Sequence, residues 1–423
     1  MIAALIIFVV MYVGMLAFSK WRVWFALGGA VAMVVCGVLS VTKVPGAINW
    51  NVIMMIAGTM GIVSLFIETG LPSRLSDILL KKMPNACWAI IALAVFSGLI
   101  SAFLDNVATV LMVAPVGLAI CKKIKINPVP VIIAISVSSN LQGAATLVGD
   151  TTSILLGGYA NMSFNDFIFM NGKFSIFWAV ELGALGTVAI LYSIFKKEKQ
   201  PIGDVELTPV SDYVPGIFLL SVIVILIVAS FFEIPYVDDI KNGLICMILC
   251  IADVIRSCIK KKNNQPVKLV FKEMDYQTLA MLCGLFVVIA SITEAGLIDK
   301  IANWFAGVGN GNVFVLYTII VFGSVLISAF VDNIPYVAAM LPVVQGISIK
   351  LGIDPMVLYF GLLSGATLGG NITPFGASAN VAGMGILKKE GYTVKNSDFF
   401  KIGIPFTLTA VVIGYLFIWF VWA

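Results

Sequence analysis

The chain has 423 residues, of which 60% are hydrophobic and 11% charged, with a formal net charge of +4 and no histidine. That hydrophobic content excludes a water-soluble globular domain and is typical of an integral membrane protein. The small net charge gives no reason to expect a nucleic-acid partner, and the seven cysteines show no metal-ligand or disulfide spacing. We therefore expect an all-α protein of the inner or plasma membrane, whose partner is the lipid bilayer and which holds no cofactor.

Eight apolar segments are each long enough to cross a bilayer as a helix, which takes about 20 residues. They lie near residues 2–19, 23–41, 51–67, 174–195, 214–232, 240–255, 277–293 and 404–423. Four further apolar stretches are interrupted by polar residues, glycine or proline. These are 88–121, 130–160, 312–349 and 355–385. We predict that the first and third are re-entrant hairpins and that the other two are spans with a central break, which gives ten spans and two hairpins.

The sequence contains an internal duplication. The motif SAFLDN, which ends at Asn106, returns as SAFVDN, which ends at Asn333, and residues upstream match at a constant offset of 226. In the polar stretches that follow, we align Asp150 with Asn371. Because each half has an odd number of spans, the second half must run inverted with respect to the first.

The duplication predicts three parts of the chain. They are a first repeat at 1–200, a cytoplasmic linker at 201–212 and a second repeat at 213–423. If both termini lie outside, 21 of the 26 Lys and Arg residues fall on the inner side, as the positive-inside rule requires. The first hairpin then opens to the cytoplasm and the second to the exterior. Inverted repeats with one hairpin from each face are typical of an alternating-access transporter.

The hairpin tips carry a carboxylate and an amide each, Asp105 and Asn106 in the first and Asp332 and Asn333 in the second. A backbone that turns inside a membrane is tolerated only where it is buried in protein or lines an aqueous cavity. Carboxylate and amide oxygens at such turns are hard ligands that suit Na⁺, and carboxylates inside a membrane typically mark an ion pathway. The alternative is that both aspartates only cap the helix after the turn.

The two broken spans are rich in Gly, Thr, Ser and Asn, which let a helix unwind and supply hydroxyl and amide ligands. Together with the tips they give our candidate substrate- or ion-binding residues. These are Asp105, Asn106, Thr109, Thr146, Asp150, Thr151, Thr152, Ser153, Asp332, Asn333, Thr367, Asn371, Thr373, Ser378 and Asn380. No basic residue is close to them in sequence, which favours cations or neutral solutes. Close helix packing is the alternative role for the glycines.

Four motifs carry a family resemblance: SAFLDNVATVLMVAP, GAATLVGDTT, VDNIPYVAAMLP and GGNITPFGASANV. They resemble the ArsB/NhaD group of the ion transporter superfamily, and within it the subgroup that contains the melanosomal P protein. The resemblance implies a scaffold and a transport domain, a homodimer and an elevator mechanism, with Na⁺ or H⁺ as coupling ion. In related sodium/dicarboxylate symporters each tip carries Ser-Asn-Thr and binds sodium. Here Asp105 and Asp332 replace the serines, which argues against a dianionic cargo.

We therefore expect a secondary active transporter and not an enzyme, with Na⁺- or H⁺-coupled exchange as the favoured activity. Arsenite or antimonite efflux and cation-coupled transport of a carboxylate anion are the alternatives. An intramembrane aspartyl protease built on Asp105 and Asp332, and a passive channel, are more remote. The sequence leaves the roles of Glu68, Glu181 and Glu294 open.

Overall fold

A computed structural model describes the chain except residues 233, 234, 236, 309 and 310. The first half contains α1 (Ile2–Ala17), α2 (Arg22–Val35), α3 (Val44–Ala47), α4 (Trp50–Glu68), α5 (Leu71–Lys81), α6 (Ala86–Ser101), α7 (Asn106–Ile124), α8 (Pro128–Gln142), α9 (Thr151–Tyr159) and α10 (Ile176–Phe195). The second half contains α11 (Val214–Ala229), α12 (Lys241–Lys261), α13 (Gln265–Glu273), α14 (Tyr276–Glu294), α15 (Leu297–Val308), α16 (Val313–Ser328), α17 (Asn333–Leu351), α18 (Met356–Gly369), α19 (Ser378–Lys389) and α20 (Asn396–Trp422). Short strands β1 (Phe169–Met170) and β2 (Lys173–Phe174) pair as a hairpin.

The predicted all-helical membrane fold is confirmed. Within the described part of the chain, seven helices are long and apolar enough to cross a membrane. Three segments that we predicted as full spans are shorter, since α1, α2 and α11 have 16, 14 and 16 residues. A 14-residue helix rises only about 21 Å. The helix α2 ends early because Gly37, with φ of +69°, adopts the left-handed conformation that closes a helix C-terminus.

Both predicted helical hairpins are present. Residues 102–105 join α6 to α7, and residues 329–332 join α16 to α17. We call residues 102–106 the first tip and residues 329–333 the second tip, so that each tip includes the asparagine that begins the following helix. Both predicted broken helices are present too. The first break, residues 143–150, separates α8 from α9, and the second break, 370–377, separates α18 from α19 and contains one 3-10 turn, Gly370–Ile372.

The helices form two groups, and each group takes elements from both halves of the sequence. In the hairpin bundle, α6–α10 and α16–α20, the hairpins pack on the broken helices and α10 packs along α20. In the frame, made of α1, α2, α4 and α11–α14, α4 packs on α12 and α14 packs on α2. The two repeats are therefore interleaved in space, although they follow one another in the sequence.

The closest approaches in the frame occur at two glycines that the duplication relates. A Cβ added to Gly58 of α4 would lie 2.5 Å from the carbonyl carbon of Cys246 on α12, and one added to Gly284 of α14 would lie 2.7 Å from that of Ala26 on α2. Because these positions correspond, the packing aligns Ala26 with Cys246, an offset of 220 between α2 and α12. The residues buried on the two helices agree with that offset at Ala26, Ala30 and Met33.

The structure corrects our alignment of the two breaks. The side chains that fasten each break recur at an offset of 227, not at the offset that pairs Asp150 with Asn371. The corresponding bonds are Thr146 to Ala102 O and Thr373 to Ala329 O, and Ser153 to Gly143 O and Asn380 to Gly370 O. Asp150 therefore corresponds to Ala377. The error arose because the letters Ala-Thr-Leu occur in both segments at places that are not equivalent.

Candidate ion-binding site

A cavity of about 580 Å³ lies between the hairpin bundle and the frame. Its walls come from both tips, from the first break, from the N-terminus of α19 and from α4, α7, α13 and α14. Five acidic residues line it, and none of its lining residues is basic. These acids are Glu68, Asp105, Asp150, Glu273 and Asp275. The C-terminus of α4 and the N-terminus of α14 border the cavity, which therefore lies toward the end of the frame that the charge distribution predicts to be cytoplasmic.

At the first tip, the carboxylate of Asp105 lines this cavity and uses only one of its two oxygens in hydrogen bonds within the described part of the chain. Asp105 is the N-cap of α7, and its Oδ1 accepts hydrogen bonds from Val107 N at 3.0 Å and Ala108 N at 3.1 Å. Its Oδ2 has no hydrogen-bond partner in the described part of the chain. The capping role of this aspartate is therefore confirmed, and its role as an ion ligand, which the second oxygen leaves open, stays a prediction.

The second tip differs, because both oxygens of its carboxylate are engaged. Asp332 Oδ1 accepts from Ile334 N at 3.1 Å and caps α17, while Oδ2 forms an ion pair with Arg22. The sequence places no basic residue near Asp332, but folding brings Arg22 to it from α2, 310 positions away. The lack of basic residues near the second tip in sequence therefore does not extend to its surroundings in space.

A hydrogen-bonded chain of buried side chains leads from the first tip into both breaks. Asn106 Oδ1 accepts from Ser101 at 2.7 Å, and its Nδ2 donates to Asn140 Oδ1 at 3.2 Å. Asn140 Nδ2 in turn lies 2.7 Å from Thr367 O and 3.1 Å from Asn371 Oδ1. The amide oxygen of Asn106 therefore already accepts one hydrogen bond, and its role as an ion ligand beside Asp105 stays a prediction.

The same chain continues to the second tip through Asp150. Thr152 Oγ1 lies 3.2 Å from Thr367 Oγ1 and donates to Asp150 Oδ2 at 2.9 Å, while Thr151 N donates to Asp150 Oδ1 at 2.7 Å. Asn333 Nδ2 approaches Asp150 Oδ2 at 3.4 Å. Asp150 therefore lies at the end of the first break, next to the second tip and the cavity, and it is 7% exposed.

Other predicted site residues hold the breaks in place or stand at the edge of the site. Four of them, Thr146, Ser153, Thr373 and Asn380, donate to backbone carbonyls of the breaks or tips. Thr151 and Ser378 line the cavity. Thr109 Oγ1 and Asn380 Oδ1 are buried without a hydrogen-bond partner among the described residues. The fastening bonds explain why hydroxyl and amide side chains are needed where the helices unwind.

Sequence reasoning missed four residues of this site. Ser101 and Ser139 hold Asn106, since Ser139 Oγ lies 3.0 Å from Ser101 Oγ and donates to Asn106 O at 3.1 Å. Asn140 joins the two repeats. Had the breaks been aligned at the offset of 227, Asn140 would have been found as the counterpart of Thr367. For Arg22, the fourth, the sequence carries no signal.

The three glutamates with open roles lie outside the polar chain. Glu68 pairs with Lys261, and Glu294, its repeat counterpart, pairs with Lys43, each at 2.7 Å. Glu181 on α10 accepts from Gln142 Nε2 at 3.2 Å at the end of α8. Glu181 therefore belongs to the hairpin bundle and not to the frame.

In the described part of the chain, the cavity presents separate oxygen donors and not a cluster that would hold a resident divalent metal. Among the described residues, no three His, Cys, Asp or Glu side chains are close enough to hold a metal ion. The oxygens that reach the cavity come instead from single carboxylates, amides and hydroxyls. Weakly held ions can leave such a site, as transport requires.

Apolar spanning helices, interleaved inverted repeats and a polar cavity at two broken helices define a multi-pass membrane transporter. The sequence profile of the citrate transporter family (CitMHS) matches residues 3–358 and again 264–423. The chain belongs to this family. The narrower ArsB/NhaD grouping stays a prediction.

Relatives and solved structures agree with this assignment. The chain is 29% identical to uncharacterized transporter Rv2684 of Mycobacterium tuberculosis over 428 residues, which cover 99% of this chain and 98% of the relative. It is 25% identical to the mouse P protein over 475 residues, covering 92% of this chain and 56% of that protein, so the expected likeness to P protein is confirmed. The fold is similar to that of the YdaH transporter of Alcanivorax borkumensis, with a TM-score of 0.64, 14% identity and coverage of 89% and 86%.

Proposed function

We propose that the protein is a secondary active transporter that binds a small cation in the acidic cavity and exchanges it across the membrane. The supporting observation is that five carboxylates line the cavity and no basic side chain does. A carboxylate that is buried in a membrane is costly unless a partner neutralises it. A cation or a proton at Asp105 and Asp150 would supply that partner, and the two compete for the same oxygens. Sodium/proton exchange is the simplest form of such competition.

An elevator-like movement of the hairpin bundle against the frame is consistent with this proposal. The candidate ligands Asp105, Asp150 and Asn333 all belong to the hairpin bundle, so that they can move with the bundle as one unit. The frame contributes mainly the outer wall of the cavity, through α4, α13 and α14. Exposure to one side at a time would then follow from a shift of the bundle and not from a rearrangement of the ligands.

A second candidate is cation-coupled transport of a carboxylate anion, and the match to the citrate transporter family favours it. A cavity of about 580 Å³ has the volume of a small-molecule site. An anion would enter it only with its charge neutralised by a cation, since the lining is acidic. No cysteine lines the cavity, so the structure offers no thiol to favour arsenite. The engagement of Asp332 by Arg22 also argues against an aspartyl protease.

Dye-reported proton movement in proteoliposomes with an imposed pH gradient tests the proposal. We expect Na⁺ or Li⁺ to dissipate the gradient and K⁺ to do so less, and we expect Asp105→Asn to abolish the response. Labelled citrate uptake, with and without Mg²⁺, tests the second candidate in the same vesicles. Silence to all monovalent cations together with cation-dependent citrate uptake would replace the first function by the second.

The proposed orientation and the homodimer need separate tests. Thiol labelling of single cysteines from each side of the vesicle tests whether both termini lie outside. Size-exclusion chromatography with light scattering tests the dimer.

A further inference from the structure

The two repeats differ in the contacts that their tips make with the frame. At the first tip, the apolar side chain of Leu104 packs against Val63 and Phe66 of α4. At the second tip Asp332 pairs with Arg22 of α2, and just after the tip Tyr12 of α1 donates to Pro335 O at 2.8 Å, so both of these contacts with the frame are polar. A charged contact between the bundle and the frame must break when the two groups slide past each other.

The inverted repeat provides no equivalent of Arg22 at the first tip. The offset of 220 between α2 and α12 places the neutral Asn242 where Arg22 would recur. Its neighbour Lys241 is basic, but it pairs with Asp238 at 2.7 Å and donates to Phe232 O at 2.8 Å. Arg22 therefore has no counterpart in the other repeat and, among the described residues, an ion pair of this kind forms at the second tip but not at the first.

We propose that Arg22 is a tethered cation that occupies Asp332 in this conformation, so that Asp332 can hold a cargo cation only in the conformation where the second tip has left α2. This inference rests on the cation-transport function proposed above and adds a residue that couples the ion site to the movement. Arg22 belongs to the frame and Asp332 to the bundle, so their distance depends on the position of the bundle. The adjacent Asn333 donates toward Asp150 at 3.4 Å, which connects the pair to the rest of the site.

The geometry fits displacement of a cargo ion. The guanidinium meets Asp332 Oδ2, the oxygen that is not used in capping α17. That oxygen corresponds to Asp105 Oδ2, which is free at the first tip. The pair is also only partly enclosed by protein, with side-chain exposures of 26% for Arg22 and 22% for Asp332. An arriving Arg22 would expel a cation from Asp332 on the side to which the cavity opens.

The test measures Na⁺ binding to the purified protein in this conformation. A cysteine at the cavity-lining position Leu111, in a background with the native cysteines replaced, reports binding through protection from a maleimide. We expect Arg22→Gln to bind Na⁺ about fivefold more tightly than the parent, the change that loss of a partly exposed competing ion pair of about 1 kcal/mol produces. Arg22→Lys keeps the tethered charge and should retain the parent affinity, and Lys20→Gln, which removes a neighbouring positive charge, should also leave it unchanged.

The Asp332→Asn background separates displacement from a general structural role. There, Arg22→Gln should change neither Na⁺ affinity nor the thermal midpoint, because its partner is gone. An Arg22→Gln variant that binds Na⁺ equally or less tightly than the parent, or that has the same effect without Asp332, would overturn the proposal. If no cation protects the parent protein, cation binding itself fails. In that case, the thermal midpoints of the single and double variants of Arg22 and Asp332 still show whether the ion pair forms.

Discussion

Gly143, at the start of the first break, offers a way to disturb the site without removing any of its chemical groups. A Cβ at this position would lie 2.6 Å from Asn106 Oδ1 and 2.9 Å from the Cβ of Asp150. The backbone there is right-handed helical, with φ of −57°, so alanine introduces no backbone strain. The only consequence of Gly143→Ala is therefore that Asn106 and Asp150 must retreat by several tenths of an ångström.

Asn106 cannot retreat without weakening its bonds to Ser101, at 2.7 Å, and Asn140, at 3.2 Å. Loss of two buried hydrogen bonds costs about 1–3 kcal/mol at a typical net value per bond. We expect Gly143→Ala to lower the thermal midpoint and to reduce cation-driven proton movement at least tenfold, because Asp150 shifts as well.

The matched control for this change is Gly323→Ala in α16. A Cβ there would meet nothing within 4 Å, and the substitution should be neutral or stabilising by up to about 1 kcal/mol. The readouts are thermal unfolding in detergent and the proteoliposome assay. If Gly143→Ala transports and unfolds like Gly323→Ala, the close contact among the first tip, the first break and Asp150 is not needed for function.

Three further changes test other parts of the structure. Gly58→Ala should lower the thermal midpoint, because the added Cβ would lie 2.5 Å from the backbone of Cys246. The control Gly28→Ala, whose Cβ would meet nothing within 4 Å, should leave the midpoint unchanged. Equal midpoints for the two variants would contradict the tight packing of α4 on α12. Burial raises the pKa of Asp212, but hydrogen bonds from two basic side chains of α12 lower this pKa well below its ordinary value. The ionised Asp212 carboxylate therefore stabilises the folded protein fully above about pH 4, and this stabilisation is lost as the pH falls through the lowered pKa. Asp212→Asn should then be less stable than the parent at pH 7, and the difference should shrink as the pH falls below about 4. A stability difference that does not change with pH would refute that role. Asp105→Asn keeps the cap of α7, because asparagine caps as well as aspartate, and should abolish coupled transport at an unchanged thermal midpoint; near-normal flux would refute the site.

The sequence predicted the hairpins and the broken helices because polar residues interrupt apolar runs at places that the duplication repeats. Asp105 and Asp332 could be assigned to tips for that reason. The register of the breaks was mispredicted, since three matching letters outweighed a spacing that only the fastening bonds of Thr146 and Thr373 make visible. Local pattern therefore defines which elements exist, and tertiary contacts define which residues are equivalent.

The ion pair at the second tip lay beyond any local pattern. Arg22 lies at the N-terminus of a short apolar helix, where a basic residue is ordinarily read as a topological signal. Its contact with Asp332 depends on the packing of α2 against α14, which crosses between the halves, and on the packing of α14 against α17 within the second half. Asn140 was missed for a related reason, because its partners Thr367 and Asn371 lie in the other repeat.

The departures from symmetry between the repeats indicate where function resides. Shared features, such as the capping aspartates of the tips and the bonds that fasten the breaks, build two equivalent supports. The features that differ are charges: Asp150 stands where the second repeat has Ala377, and Arg22 where it has Asn242. If the repeats only provided a fold, neutral residues would serve at all four positions. Asp150 contacts Asn333, and the neighbouring Asp332 pairs with Arg22. Under the proposed function, the two repeats therefore present different charges to the transported cation, and the order of events in exchange depends on whether the second tip contacts Arg22.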